Sequence, residues 1–340
     1  MKKSISIYKL ISVLFIVLLI IMFLFVNIKN PKQEKLYQKS GFFFDTIISI
    51  NIYDTNPAHA ENVLNECINI CDKYENLYSV SLSDSEISNI NIANGAPTKV
   101  SSETIDILKK AEYYSSLSDK EVTPDVYPLT RLWDEAKDNL VLPDETSITE
   151  ALSHTGKGYS IAGNSLILND AKSGINLGFI AKGYIADKLK EYILSQGIQS
   201  GIINLGGNVL CIGQKPDGSD FNIGIRNPLK PDDSNPIYSL NINNKSIVSS
   251  GDYERYFEID NQKYHHILSL ENGYPVQTNL KQVTIISDSS TEGDALSTIC
   301  FILGYDKSVD LLVKHFPDAS AIFVDDQGNI MKYPNSITLQ

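Results

Sequence analysis

Asp294 and Thr298, four residues apart in the run EGDALST (residues 292–298), are the most chemically suggestive pair in the sequence. On a helix that spacing puts both oxygens on one face. A carboxylate and a hydroxyl there, completed by a carbonyl from elsewhere and by phosphate oxygens, can hold a hard divalent cation such as Mg²⁺. The competing structural reading is an aspartate that stabilises a helix start through the helix dipole. A second feature is NLGFIAKGYIAD (residues 176–187), where small residues and a single lysine sit at a loop-to-helix boundary. Exposed amides at a helix start suit an anion, and Lys182 adds a point charge for a phosphate or a hydrogen bond to a ring carbonyl. The alternative is that Gly178 and Gly183 only permit close helix packing and Lys182 is solvated.

Three weaker features accompany these. NLGGN (residues 204–208) interrupts two apolar strands with paired glycines, which marks either a close approach of backbone to a ligand or a β-bulge. SSGDYER (residues 249–255) places hydroxyls and Gly251 in a turn before a strand. His265 and His266 begin a strand, so their rings face opposite sides and at most one enters any one site.

These residues need elements to position them. Residues 47–53 (IISINIY) alternate as a strand, and Pro57 opens a helix with Val63, Cys67, Ile70, Cys71, Tyr74, Leu77 and Tyr78 on its apolar face. Ser101 caps a second helix through Ile105, Leu108 and Ala111, and residues 180–193 form a third. After Gly201 the chain reads as successive short strands (GIIN, VLCIG, FNIGI, YSLNI, RYFEI, YHHILSL, QVTIIS) with tight turns, which argues antiparallel pairing. A final helical pair, 295–303 and 308–315, is punctuated by Gly304 and Pro317. The order predicts an α+β fold of antiparallel sheets layered with helices, not a doubly wound nucleotide fold.

The 41 acidic against 29 basic residues leave a net charge of −12, which disfavours nucleic acid as a partner. Four cysteines without a CxxC or histidines at zinc spacing encode neither a metal knot nor a disulfide framework, and read as buried packing residues. Residues 10–26 hold Ser12 as their one polar side chain and as a helix reach about 26 Å of a ~30 Å hydrocarbon core, with Ile28 supplying more. No small-residue cleavage site follows, so the expectation is an uncleaved signal anchor over 10–28. A short cytoplasmic tail (1–9), a polar tether (29–40) and one domain (41–340), placed outside the cytoplasm, complete this organisation.

Together the blocks NLGFIAKGYIAD, INLGGNV, IGIRNP (residues 223–228), SSGDYERYFE, YHHILSLENGYPV and GDALST resemble, in type and order, the ApbE family, the FAD:protein FMN transferases. The resemblance spans about residues 42–304. It implies a T-fold-related α+β architecture with FAD in a cleft between layers and Mg²⁺ on its pyrophosphate. The implied activity is transfer of FMN to a threonine hydroxyl of a target flavoprotein with release of AMP; some members hydrolyse FAD to FMN and AMP instead. Carried onto this chain, the metal ligands are Asp294, Thr298 and the backbone carbonyl of Phe179. Flavin and adenosine contacts fall on Asn176, Lys182, His266, the Phe44-Asp45-Thr46 block, Tyr78, Ser79 and Val80, and the segment from Thr123 to Asp125. Lys182 and the metal neutralise the leaving AMP, and the base is His266 or Asp252, between which the sequence does not choose. The chain departs from the family pattern at Asn176, where aspartate is usual, at residues 44–46, usually Met-Gly-Thr-like, and at 123–125, usually Asp-x-Thr. A Mg²⁺-dependent FAD pyrophosphatase and a non-catalytic flavin-binding surface protein are the alternatives.

Overall fold

The computed structural model describes residues 15–18, 22, 33–334 and 336–339. Its frame is an eight-stranded antiparallel sheet in the order β1 (Lys35–Phe43), β2 (Thr46–Asp54), β6 (Gly201–Leu205), β7 (Asn208–Ile212), β10 (Ser246–Gly251), β13 (Leu280–Ser287), β14 (Ser320–Asp325), β15 (Ile330–Tyr333). Three smaller sheets join β3 (Thr98–Lys99), β5 (Ser165–Leu168) and β4 (Tyr159–Ala162); β8 (Phe221–Arg226) and β9 (Pro236–Ile242); and β11 (Tyr256–Ile259) and β12 (Gln262–His265). The helices are α1 (Pro57–Tyr78), α2 (Glu86–Ile92), α3 (Ser102–Leu117), α4 (Tyr127–Asn139), α5 (Glu145–Ser153), α6 (Ala181–Ser195) and α7 (Ser290–His315). The expected α+β layering of antiparallel sheets and helices is therefore observed.

One face of the large sheet packs on α1, α6 and α7. The alternation of β2 buries Ile48, Ile50 and Ile52 against Val63, Cys67 and Cys71 of α1 and Ile185 and Leu189 of α6. The opposite face is covered by the β8–β9 hairpin through Phe221, Ile225, Tyr238 and Leu240. Because β13 is covered on both sides, its residues are buried almost without alternation. A third cluster, centred on Leu129, Trp133, Ile148 and Tyr264, ties α4 and α5 to the β11–β12 ribbon, with Trp133 Nε1 donating to the Gly273 carbonyl at 2.7 Å.

Local chemistry accounts for the helix limits. Asn56 accepts the amides of Ala58 and His59 ahead of Pro57, and Ser101 accepts Thr104 N–H. Gly304 (φ 74°, ψ 179°) kinks α7 at the predicted break.

Two differences from the sequence reading stand out, in β1 and after His265. Residues 35–40, expected as tether, form the edge strand β1, whose outward residues are exposed and so carry no apolar alternation. The strand expected over 264–270 ends at His265, where the chain turns and pairs again through a bridge of Leu268 with Pro275. The expected membrane segment (10–28) lies outside the described residues except for 15–18 and 22, which are helical with exposed apolar side chains. Among the described residues no helix is long and apolar enough to cross a membrane.

All four cysteines are buried and unpaired, and burial pushes each thiol up to about 12. A thiol-specific chromogenic reagent at pH 8 should therefore label none of them in the native protein and all four after denaturation in guanidinium. Rapid native labelling would contradict this packing.

Candidate functional site

Asp294 and Thr298 lie in the first half of α7, one helical turn apart. Asp294 is buried, and its Oδ2 accepts the Gly183 N–H at 2.8 Å. Gly183 belongs to the first turn of α6, whose N-cap Ile180 offers no side-chain acceptor. The anion expected at this helix start is thus in part the Asp294 carboxylate itself. Burial pushes that carboxyl above the usual carboxylate range, while Lys182, the Gly183 N–H, Asn208 and Arg255 pull the other way. Thr298 is half-buried, with its hydroxyl 3.3 Å from Ser250 Oγ, and Ser250 also meets Ser297 Oγ at 2.8 Å. Phe179 lies in the turn of residues 178–180 that leads into α6.

The donor set fits Mg²⁺. It offers a carboxylate, a hydroxyl and a turn carbonyl, all hard oxygens, with neither thiolate nor imidazole. Among the described residues no group of three or more His, Cys, Asp or Glu could cage an ion. A cation here would need phosphate oxygens to complete its shell, as Mg²⁺ commonly does. The Asn208 side chain is buried beside Asp294, its amide nitrogen directed at that carboxylate and its oxygen accepting the Ser290 hydroxyl at 2.6 Å.

Lys182 lines a small, mostly apolar cavity together with Phe43, Phe44, Thr46, Ile48 and Leu205. Phe44 and Asp45 form the β1–β2 turn, both at positive φ (51° and 57°). Three contacts hold it: Phe44 N–H donates to Glu75 Oε1 at 2.7 Å, Arg255 Nη2 donates to the Phe44 carbonyl at 3.0 Å, and Ser81 Oγ donates to Asp45 Oδ2 at 3.3 Å. Glu75 and Ser81 flank the 78–80 block, so two of these contacts bring the 44–46 turn next to it, and Phe44 and Thr46 share a cavity with Lys182. Within the second block, Tyr78 is buried among Tyr74 and Tyr184, Ser79 is buried, and Val80 is half-buried.

The segment from Thr123 to Asp125 and Asn176 also meet, through Asn176 N–H donating to the Pro124 carbonyl at 2.8 Å. Asp125 is buried and accepts the Gly158 N–H at 2.6 Å and the Thr123 hydroxyl. Asn176 spans Gly178 N–H and Thr130 Oγ1 at 2.9 and 3.0 Å. Both side chains thus have partners inside the protein.

The two histidines part as expected. His265 is buried, its Nε2 against the Val276 carbonyl (3.1 Å) and its ring edge-on to Phe301. His266 lies open to water on the other side, with Nδ1 3.2 Å from the Arg255 carbonyl. A carbonyl only accepts, so Nδ1 carries the hydrogen and Nε2 is left with its lone pair outward. Although the ring reaches water, desolvation by the protein atoms gathered around it, and then the charges of Arg255 and Lys182, lower this imidazole from its ordinary value.

Asp252 does not join this group. It is buried in an ion pair with Lys281 Nζ at 2.7 Å and acts on His265 instead. The carboxylate that does stand by the cluster is Glu254, half-buried above the Gly206–Gly207 turn and raised by burial, with Lys182, Arg255 and Arg226 opposing and Asp294 adding to the rise. The sequence does not single out Glu254 and Arg255, because charges alternating before a strand also describe a solvated turn, nor Arg226, which ends the strand β8.

This antiparallel α+β body gathers an oxygen-donor pair, a lysine and an imidazole near one another, a set suited to cation-assisted chemistry on a phosphorylated substrate. A model of the ApbE family matches residues 44–323, and the chain belongs to that family. It is 31% identical over 306 residues to the FAD:protein FMN transferase of Treponema pallidum, covering 85% of this chain and 84% of that protein. A protein of the same name from Klebsiella pneumoniae is 33% identical over 303 residues, covering 88% and 92%. Among solved structures, the ApbE protein of Thermotoga maritima superposes with a TM-score of 0.80 at 28% identity, covering 88% of this chain and 97% of that one. The apo flavinyl transferase ApbE of Pseudomonas stutzeri gives 0.75 at 25% identity, covering 88% and 94%.

Proposed function

We propose that this chain is a Mg²⁺-dependent FAD:protein FMN transferase that moves FMN from FAD onto a threonine hydroxyl of a target flavoprotein and releases AMP. The observation that carries the reading is the buried Asp294 carboxylate, clasped by the Gly183 amide, one turn from the Thr298 hydroxyl and facing the charge of Lys182. Asp294, Thr298 and the Phe179 carbonyl would hold Mg²⁺. The ion supplies charge neutralisation to a pyrophosphate bound there.

Every other task falls to the chain. Lys182 places a positive charge against the phosphate that departs with AMP. The turn at Phe44–Asp45, fastened by Glu75 and Arg255, and the 78–80 block wall the cleft beside Lys182, while Asn176 and the Thr123–Asp125 segment fix the loop ahead of α6. His266 Nε2 accepts the proton of the acceptor hydroxyl as its oxygen bonds to the phosphorus of the FMN half and the bond to the AMP phosphate breaks. Replacing Lys182 by Gln is expected to lower the rate of AMP formation about 10²-fold, the usual cost of one electrostatic donor. A change under threefold in single-turnover assays would remove Lys182 from this role.

Incubating the chain with FAD, Mg²⁺ and a threonine-bearing acceptor peptide should yield AMP and a covalently fluorescent peptide. Retention of FAD without AMP would instead mark a non-catalytic flavin binder. The openness of His266 to water supports a second reading, a Mg²⁺-dependent FAD pyrophosphatase in which water takes the place of the hydroxyl. It would give AMP and free FMN with no acceptor present. The apolar run at residues 10–26 supports an uncleaved anchor that holds the catalytic body outside the cytoplasm beside membrane-bound acceptors.

A further inference from the structure

Asp187, the last residue of the NLGFIAKGYIAD block, touches neither the cleft nor Asp294 or Thr298. Its carboxylate is nevertheless filled from α7. Oδ1 accepts the Ser290 N–H at 2.8 Å, and Oδ2 accepts the Thr291 N–H at 2.9 Å, the Thr291 hydroxyl at 2.6 Å and the Ser289 hydroxyl at 2.7 Å. A helix start leaves its first amides without intrahelical partners. The cap of α7 itself is weak, since Ser289 Oγ reaches Glu292 N–H only at 3.4 Å. Asp187 supplies from a neighbouring helix what that cap does not.

The contact has a counterpart one turn away. Gly183 and Asp187 are four residues apart on α6, and Asp294 lies four beyond Ser290 on α7, with the two pairs meeting in opposite order. At one end α6 donates to a side chain of α7; at the other a side chain of α6 accepts from the backbone of α7. Sliding α7 along α6 by a single residue would break both ends together. The same first turn is pinned from the sheet, where Ser290 Oγ donates to Asn208 Oδ1 at 2.6 Å and accepts from Ser246 Oγ at 3.1 Å.

We infer that Asp187 is a positioning residue: by locking the first turn of α7 to α6, it fixes where Asp294 and Thr298 stand relative to the turn at Phe179. The inference rests on the reading of those residues as Mg²⁺ ligands. Residues that orient ligands from behind commonly change metal affinity 10–100-fold when replaced.

The test is a titration of the full chain with Mn²⁺ in the presence of FAD, followed by electron paramagnetic resonance, with Mg²⁺-dependence of AMP formation measured alongside. Asp187→Asn keeps an acceptor for one amide and should weaken Mn²⁺ about 10-fold; Asp187→Ala should weaken it up to about 100-fold. In both, the Mg²⁺ concentration for half-maximal rate should rise while kcat at saturating Mg²⁺ stays within threefold of the parent. Thr291→Val, which removes one bond and unpairs no amide, covers the case in which Asp187→Ala does not fold, and should weaken Mn²⁺ severalfold. Unchanged Mn²⁺ affinity in Asp187→Asn and Thr291→Val, or a loss of kcat that saturating metal does not restore, overturns the positioning role. Parent protein that binds Mn²⁺ normally beside such variants loses only this inference, whereas a parent that binds none with FAD present overturns the metal reading as well.

Discussion

Replacing Asp294 by Asn is expected to abolish Mg²⁺-dependent AMP release, by roughly 10³-fold or more, with little loss of fold. The carboxylate is the one charged group of the proposed ligand set, and it is buried away from the bulk water that could otherwise take its place. An asparagine retains an oxygen to accept the Gly183 N–H at the same place, and it relieves the desolvation of a buried charge. Stability and activity should therefore separate: thermal unfolding within a few degrees of the parent, turnover gone. The assay is AMP formation from FAD across a Mg²⁺ series. Full turnover in the Asn variant would remove Asp294 from the chemistry.

The second large effect is structural and falls on Gly183. A Cβ there would stand 2.1 Å from the Ser290 carbonyl oxygen, 2.6 Å from its carbon and 2.7 Å from Asp294 Cβ. Helix propensity alone favours alanine over glycine by about 1 kcal/mol. The clash is with the backbone of α7, which cannot rotate away as a long side chain would, so packing outweighs propensity. Gly183→Ala should cost about 3 kcal/mol and lower the melting temperature by roughly 5 °C. It should also cut metal-dependent activity in the molecules that remain folded, because α7 must move off α6. Melting by circular dichroism checks the first part; an alanine variant as stable as the parent would mean that the two helices do not approach as closely as described.

That Asp294 and Thr298 stand one turn apart on a helix was legible in the sequence, because a four-residue spacing is local information. So were the caps at Asn56 and Ser101, the alternation of residues 47–53 and the break at Gly304. What stayed hidden depends on strand register. Gly251 pairs with Gln282 across β10 and β13, which sets Lys281 against Asp252 and takes that carboxylate out of the cleft. Glu254, two residues on, reaches the site only because the Gly206–Gly207 turn and Lys182 come from other parts of the fold. The helices α4 and α5 escaped notice for a different reason. Only Leu129, Trp133 and Ala136 are buried in α4 and only Ile148 in α5, stripes too narrow to read as periodicity. The edge strand β1 has no buried residue at all, so nothing in its pattern distinguishes it from a polar linker.

The most direct test of the central claim is a crystal of the full chain soaked with FAD and Mn²⁺, read by anomalous scattering at the manganese edge. The account expects one strong peak bonded to Asp294, Thr298 and the Phe179 carbonyl, with pyrophosphate oxygens of FAD completing the shell beside Lys182. Bound FAD with no metal at those oxygens, or a peak held by other residues, would contradict it.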